Sequence, residues 1–282
     1  STVQQTRSAE ADASILPPSL GRFLPHLDLP LRAPRIPPSS VIFFPHIPKT
    51  AGTSVRRMIV EAAKPLAVLL PRSPTELAFR SDAELAKCPM ITGHTGFGLI
   101  RRLRPPVQTI LFLREPVARV VSQYRYFVEL ASDPATPGNP FAAMLRGRTL
   151  EQLLREAHEP FVEQYFCNLQ TFCVHSNQFM YYRKDVRHLP PEQILEQAFA
   201  NLDRVDVLGI VEQMDESIRR MQAYFGWENV TMRHDMRSRK QTQLALSDEL
   251  IDLIRQHNQL DLALYEEACR RFAAGGPKRA EG

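Results

Sequence analysis

The stretch Val41-Ile42-Phe43-Phe44-Pro45-His46-Ile47-Pro48-Lys49-Thr50-Ala51-Gly52-Thr53-Ser54 decides the fold. Its first four residues are an apolar run bounded by turn formers, the pattern of a buried strand. From Val55 the period changes, and Val55, Met58, Ile59 and Ala62 fall at i, i+3, i+4 and i+7, the spacing of one helix face. Between strand and helix stand one lysine, three hydroxyls (Thr50, Thr53, Ser54) and one glycine. Such a loop gathers backbone N–H groups, the positive end of a helix and an ammonium at one point, the chemistry that holds a phosphate-like anion.

The loop departs from the nucleoside triphosphatase pattern G-x-x-x-x-G-K-[ST], in which lysine comes late and the following hydroxyl holds magnesium. Here Lys49 comes first and Gly52 follows it. The order Pro48-Lys49-Thr50-Ala51-Gly52-Thr53-Ser54 resembles instead the 5′-phosphosulfate loop of sulfotransferases that use 3′-phosphoadenosine 5′-phosphosulfate (PAPS). A second strand, Val107 to Leu113, ends in Arg114-Glu115-Pro116, and Pro116 suits the first position of a new helix. On that helix Val117, Val120, Val121, Tyr124, Phe127 and Val128 line one face, leaving Arg119, Ser122, Arg125 and Glu129 elsewhere. Arg114 at the strand end and Ser122 two turns up the helix can converge on one anion. This strand, turn and serine resemble the 3′-phosphate-binding element of the same sulfotransferases.

Between the two elements lies Met90-Ile91-Thr92-Gly93-His94-Thr95-Gly96-Phe97-Gly98. A short strand stops at Gly93 and presents His94 at its end, where open α/β sheets carry functional groups. The Gly-His pair resembles that of heparan and dermatan uronyl 2-O-sulfotransferases, in which this histidine is the catalytic base. An ordinary histidine pKa of about 6.5 suits proton removal near neutral pH.

The resemblance implies a PAPS-dependent carbohydrate sulfotransferase, similar also to bacterial sulfotransferase family 2 proteins, over roughly 41–272. It implies sulfuryl transfer from PAPS to an acceptor hydroxyl by in-line displacement, leaving PAP. His94 is then the base and Lys49 stabilises the leaving group. Lys49, Thr50, Ala51, Gly52, Thr53 and Ser54 bind the 5′-phosphate, and Arg114 and Ser122 the 3′-phosphate. A basic run, Met236-Arg237-Ser238-Arg239-Lys240, stands before a helix capped by Ser247; in the family such a loop closes over the cofactor, which gives Arg239 and Lys240 that role, with Arg233 and Arg237 as alternatives. The acceptor implied is a hydroxylated molecule, a saccharide or glycolipid first and a small alcohol or phenol second. No metal is required, and no H-E-x-x-H, paired C-x-x-C or acidic calcium loop occurs. A nucleotide-dependent kinase would need a late-loop lysine and a magnesium site; a non-catalytic nucleotide-binding protein would have no use for His94.

The expected architecture is α/β, a single P-loop-like domain with a central parallel sheet of four to five strands flanked by helices. Further elements support it: helical periodicity over 149–157 and 192–204, a strand over 205–211, and helices after Glu212 and from Ser247 to Phe272. The domain is expected over 40–273. Before it, 1–39 holds seven of the chain's 23 prolines, the composition of an extended arm; after it, 274–282 is expected to fray.

With 282 residues, 44% of them hydrophobic, the chain can bury a full core. A net charge of +4 suits an anionic ligand, while no recognition helix, zinc finger or aromatic RNA-binding motif points to nucleic acid. No apolar run is long enough to span a membrane and no basic-then-apolar leader opens the chain. The expectation is therefore a bacterial cytosolic protein, or a Golgi-lumen one if the sequence is cut from an animal relative. Cys88, Cys167, Cys173 and Cys269 do not form a disulfide framework, and Cys167 and Cys173 are expected to stay reduced. Arg101, Arg102 and Arg104 are candidates for an anionic sugar. The aromatic segment 161–182 reads either as a stacking surface for sugars or as core, since Tyr165, Phe166, Leu169 and Phe172 fit helical spacing.

Overall fold

In the computed structural model, residues 40–62, 68–69, 76–135, 138–175, 180, 183, 186, 188–227, 244 and 246–275 are described. The arm over 1–39, Arg233, Arg237, Arg239, Lys240 and the tail from 276 lie outside the described residues.

Strand β1 (Val41–Pro45) is buried along its whole length. Val41 and Phe43 pack into one apolar cluster, Ile42 and Phe44 into another on the opposite face. A strand covered on both sides has to read as a continuous apolar run, which is how it reads. Around it are β2 (Val68–Leu69), β3 (Met90–Gly93), β4 (Val107–Leu113) and β5 (Val207–Ile210), all parallel, in the order β2-β3-β1-β4-β5. The chain leaves β1 toward one side, returns through β3, then crosses to β4 on the other side. The carboxyl end of β1 is therefore the point at which the winding reverses, where ligands bind in open sheets of this kind.

Twelve helices complete the described fold: α1 (Gly52–Ala62), α2 (Glu76–Phe79), α3 (Asp82–Leu85), α4 (Pro116–Ser132), α5 (Pro140–Leu145), α6 (Leu150–Arg155), α7 (Pro160–Phe166), α8 (Leu169–Val174), α9 (Pro191–Leu202), α10 (Met214–Phe225), α11 (Asp248–Gln256) and α12 (Gln259–Ala273). Helices α1 and α10 cover one face of the sheet; α8, α9 and α12 cover the other. A third apolar cluster sits under α4 to α7 and α11. Among the described residues no helix is long and apolar enough to cross a membrane.

Most expected boundaries hold to within a few residues. Thr149 closes a capping box with Gln152, and Ser247 caps α11 by accepting from the Leu250 N–H. The expected strand over 205–211 shortens to β5 because the Asp206 carboxylate takes the Thr109 N–H at 2.7 Å in place of a ladder carbonyl, and 211–213 coil into a 3-10 turn. The segment after Phe161 breaks into α7 and α8 at Asn168, whose backbone is left-handed at φ 48. Tyr165, Phe166 and Leu169 are buried, so of the two readings for this segment core is the one these residues take.

Arg119 corrects the sequence reading, which placed it off the apolar face of α4. It is fully buried, and both terminal nitrogens of its guanidinium donate to the Tyr165 carbonyl at 3.1 Å. Periodicity could not show this, because the partner lies 46 residues away. Cys167 and Cys173 are free thiols, as expected, and burial pushes the Cys167 thiol up to about 11.

One polar contact anchors α8 against α12. Asp261, fully buried, accepts from the N–H groups of Gln170 (3.1 Å) and Thr171 (2.7 Å) and from the Thr171 hydroxyl (2.8 Å). Replacing Asp261 by Ala leaves three buried donors unsatisfied. We expect a loss of about 2–4 kcal/mol in urea unfolding, against less than about 0.5 kcal/mol for exposed Asp252→Ala.

Candidate functional site

The site assembles at the carboxyl ends of three adjacent strands. Past Pro45, the His46 N–H still donates to Gly93 O at 2.8 Å, which carries β1–β3 pairing one residue beyond the strand. The chain then turns with Lys49 at φ 68 and Ala51 at φ 60. Two left-handed residues that are not glycine, within three positions, cost about 1–3 kcal/mol each and are kept where function needs the geometry. Alternating backbone handedness turns successive N–H groups to one side and makes an anion-binding concavity. Among the described backbone bonds none uses the N–H of Thr50, Ala51, Gly52 or Thr53, whereas Ser54 and Val55 both donate to Ala51 O at 3.1 Å. Four successive backbone donors, leading into the start of α1, are thus left without a backbone partner among the described residues.

The Thr50 hydroxyl points elsewhere. It is buried and donates to Ile47 O at 2.9 Å, so what Thr50 has for an anion is its backbone N–H. Gly52 is demanded by its neighbour: a Cβ there would stand 1.7 Å from Cδ2 of His46. That bare helix start lets the His46 ring lie between Phe44, stacked at 5.9 Å, and His94, with ring centroids 4.4 Å apart.

His94 follows β3 directly, as expected. Its Nδ1 lies 2.8 Å from the carbonyl oxygen of His46. A carbonyl only accepts, so the neutral ring holds its proton on Nδ1 and presents Nε2 as a lone pair. His94 is partly exposed as a residue, but dense protein around its ring lowers its pKa to about 4; the Nδ1 bond opposes this, and Arg56 and Lys49 add to it. The ordinary value near 6.5 expected from sequence is therefore not the one this environment gives. At neutral pH the imidazole is unprotonated and ready to accept.

Lys49 is held between α1 and α4. Its Nζ lies 4.3 Å from the centre of the Tyr126 ring, a cation–π contact. Burial lowers its pKa to about 8; Arg114 lowers it further and Glu129 acts the other way. Arg114 leaves the end of β4 and donates from Nη1 to the Lys49 carbonyl at 3.2 Å. Its own N–H and C=O are both taken by the Gln170 side chain, at 2.9 and 2.8 Å. The α4 N-terminus is already filled by Glu115, whose carboxylate accepts from the N–H groups of Val117 and Ala118 at 3.1 and 2.7 Å. An anion beside Arg114 must therefore meet the flank of α4. The Tyr126 contact turns that flank toward the Lys49 loop, and Ser122 stands one turn earlier on it.

Lys49, the 50–54 loop, His94 and Arg114 come together at one edge, and Ser122 lies on α4 one turn before Tyr126. Arg102 is committed elsewhere, donating from Nε to Asp82 at 2.8 Å. Sequence reasoning missed Gln170, Tyr126 and Arg56. Arg56 is one turn above Gly52 on the same side of α1, close enough to lower the pKa of both His46 and His94. Its only sequence signal was a basic residue in the first turns of α1, on the face that Gly52 leaves open.

Residues 34–266 match the family described as "Sulfotransferase family". Over 93 residues the chain is 30% identical to a protein-tyrosine sulfotransferase of Arabidopsis thaliana, a match that takes in 33% of this chain and only 18% of that protein.

Gly52→Ala must push the His46 ring off its seat and with it the ring packed on His94. We expect about 1–3 kcal/mol of destabilisation in thermal or urea unfolding. The double variant Gly52→Ala/His46→Ala should recover part of it, a coupling that two independent sites would not show. A second check is protonation of His94. Because its folded pKa lies below the unfolded 6.5, stability is full above about 6.5 and falls as pH drops toward 4. Nitrogen NMR of the His94 ring should show a midpoint near 4 and the Nδ1–H tautomer above it.

Proposed function

The chain belongs to the sulfotransferase family, a family of sulfuryl transferases, and we propose that it transfers the sulfuryl group of PAPS to a hydroxyl of a carbohydrate or glycolipid by in-line displacement. One juxtaposition carries this reading: four unused backbone N–H groups with Lys49, beside a histidine whose Nε2 is a free lone pair.

The residues present fit a doubly phosphorylated nucleotide. Thr50, Ala51, Gly52 and Thr53 offer backbone donors to a 5′-phosphate, and Thr53 and Ser54 add hydroxyls. Arg114 and Ser122 offer a charged and a neutral donor to a 3′-phosphate, and the buried Arg114 Nε has no hydrogen-bond partner among the described residues. Arg239 and Lys240, outside the described residues, take the closing role that the family resemblance gives them. When bound, PAPS supplies an activated sulfuryl group on a phosphate leaving group.

The remaining chemistry belongs to the chain. His94 takes the acceptor proton on Nε2, and its Nδ1–H stays on the His46 carbonyl, which steadies the imidazolium as it forms. An imidazole whose conjugate acid has a pKa near 4 is a weak base, so proton transfer has to accompany attack rather than precede it. Lys49 offers a partly desolvated ammonium to the oxygen that gains charge as the leaving phosphate departs. Its resting place on Tyr126 keeps that ammonium inside the site.

A phenolic hydroxyl is the second reading for the acceptor, favoured by the likeness to a protein named for tyrosine sulfation. Incubation with PAPS and a panel of saccharides, glycolipids, phenols and tyrosine peptides, followed by mass spectrometry, decides between them. Lys49→Ala should reduce turnover by about 10²–10³ and His94→Ala by about 10²–10⁴. Preference for ATP over PAPS, or a magnesium requirement, would overturn the reading. In the free enzyme Lys49 is charged below about 8 and His94 is neutral above about 4. The donor kcat/KM should therefore be flat from pH 5 to 7.5 and fall above about 8, and Lys49→Arg should lose that fall.

A further inference from the structure

Ser122, Arg125, Tyr126 and Glu129 follow one another at i, i+3, i+4 and i+7 along α4 and share one face. Tyr126 identifies what that face addresses, because its ring carries the Lys49 ammonium at 4.3 Å. Arg125 therefore stands at the mouth of the same site, one turn beyond Ser122. Its Nε is buried and has no hydrogen-bond partner among the described residues, and no carboxylate there pairs with it. The Nε of Arg114 is likewise buried without a hydrogen-bond partner among the described residues, and its ion pair with Glu212 is long, at 3.9 Å. The two guanidinium groups also feel each other: burial is the main cause that disfavours the charged form of Arg114, Glu212 and Glu115 oppose it, and Arg125 adds to it.

Two like charges, each with a buried N–H unused, are an unfavourable arrangement in the free protein. A multi-oxygen anion between them would satisfy both donors and cancel the repulsion, and a phosphate monoester has the oxygens and the double charge to do so. We propose that Arg125 is a third ligand, with Arg114 and Ser122, of a phosphate-monoester subsite, and that it sets the preference for an adenine nucleotide carrying a 3′-phosphate. This rests on the reading above that Arg114 and Ser122 hold the 3′-phosphate. Arg114 is pinned by Gln170 and by the Lys49 carbonyl, so it shapes the site as well as charging it. Arg125 has no such bond at its Nε among the described residues and is the cleaner determinant of selectivity.

The test is titration calorimetry of the full chain with PAP and with 5′-AMP, which differ only in the 3′-phosphate. Arg125→Gln should weaken PAP by about 10- to 100-fold and leave AMP unchanged; Arg125→Lys, which keeps charge without the fork, should fall between. Thermal unfolding of both variants within a few degrees of the unaltered chain shows that the fold is intact. If Arg125→Gln keeps the PAP-to-AMP affinity ratio, or weakens both nucleotides equally, Arg125 is not a 3′-phosphate ligand. If the unaltered chain itself shows no preference for PAP over AMP, the PAPS reading falls and this assignment with it.

Discussion

The hydrogen bond from Arg114 Nη1 to the Lys49 carbonyl ties the loop after β4 to the loop after β1, and the site depends on it. Lys49 has a left-handed backbone, which a lysine does not adopt without support. The support runs inward in steps. Asp261 on α12 fixes the first residues of α8; Gln170 of α8 fixes both backbone groups of Arg114; Arg114 then holds the Lys49 carbonyl. A helix on the far side of the sheet thereby sets the backbone of the 46–54 loop. On the other side, Thr50 closes the loop on Ile47 and the glycine at 52 admits the His46 ring.

What this scaffold holds is a set of cations with few counter-ions. Lys49, Arg56 and Arg114 all lie where burial disfavours their charge, and Lys49 and Arg114 repel each other. Glu212, with Tyr265 donating to it at 2.7 Å, and Glu129 offset this only in part. Preorganised positive charge of this kind is costly in the empty protein and favourable once an anion arrives, the general condition for electrostatic stabilisation of a charged transition state. Burial is the main reason that His94 stays neutral, and the same field adds to it. The cations that would favour an anion thus also help, behind burial, to keep the imidazole free of its proton.

Local signals made much of this legible. The apolar runs of β1, β3 and β4 could be read because buried parallel strands leave no polar alternation to confuse them. The 46–54 loop, His94 and Arg114 were visible because each follows directly on a strand end. Arg119 was misread and Gln170, Tyr126 and Arg56 were passed over for one shared reason. Their roles depend on partners that chain spacing does not reveal, such as Gln170 meeting Arg114 56 residues away and Tyr126 meeting Lys49 across the cleft.

By itself, then, the sequence determined the order of strands and helices, the strand-to-helix loop at 46–54 and the identity of the chemical groups, since these follow from periodicity, turn chemistry and residue type. Only the tertiary structure decided which proton His94 carries, how far its pKa and that of Lys49 fall, and which arginines are structural and which are left open to a ligand. Those properties depend on burial and on through-space distance, and neither is a function of separation along the chain.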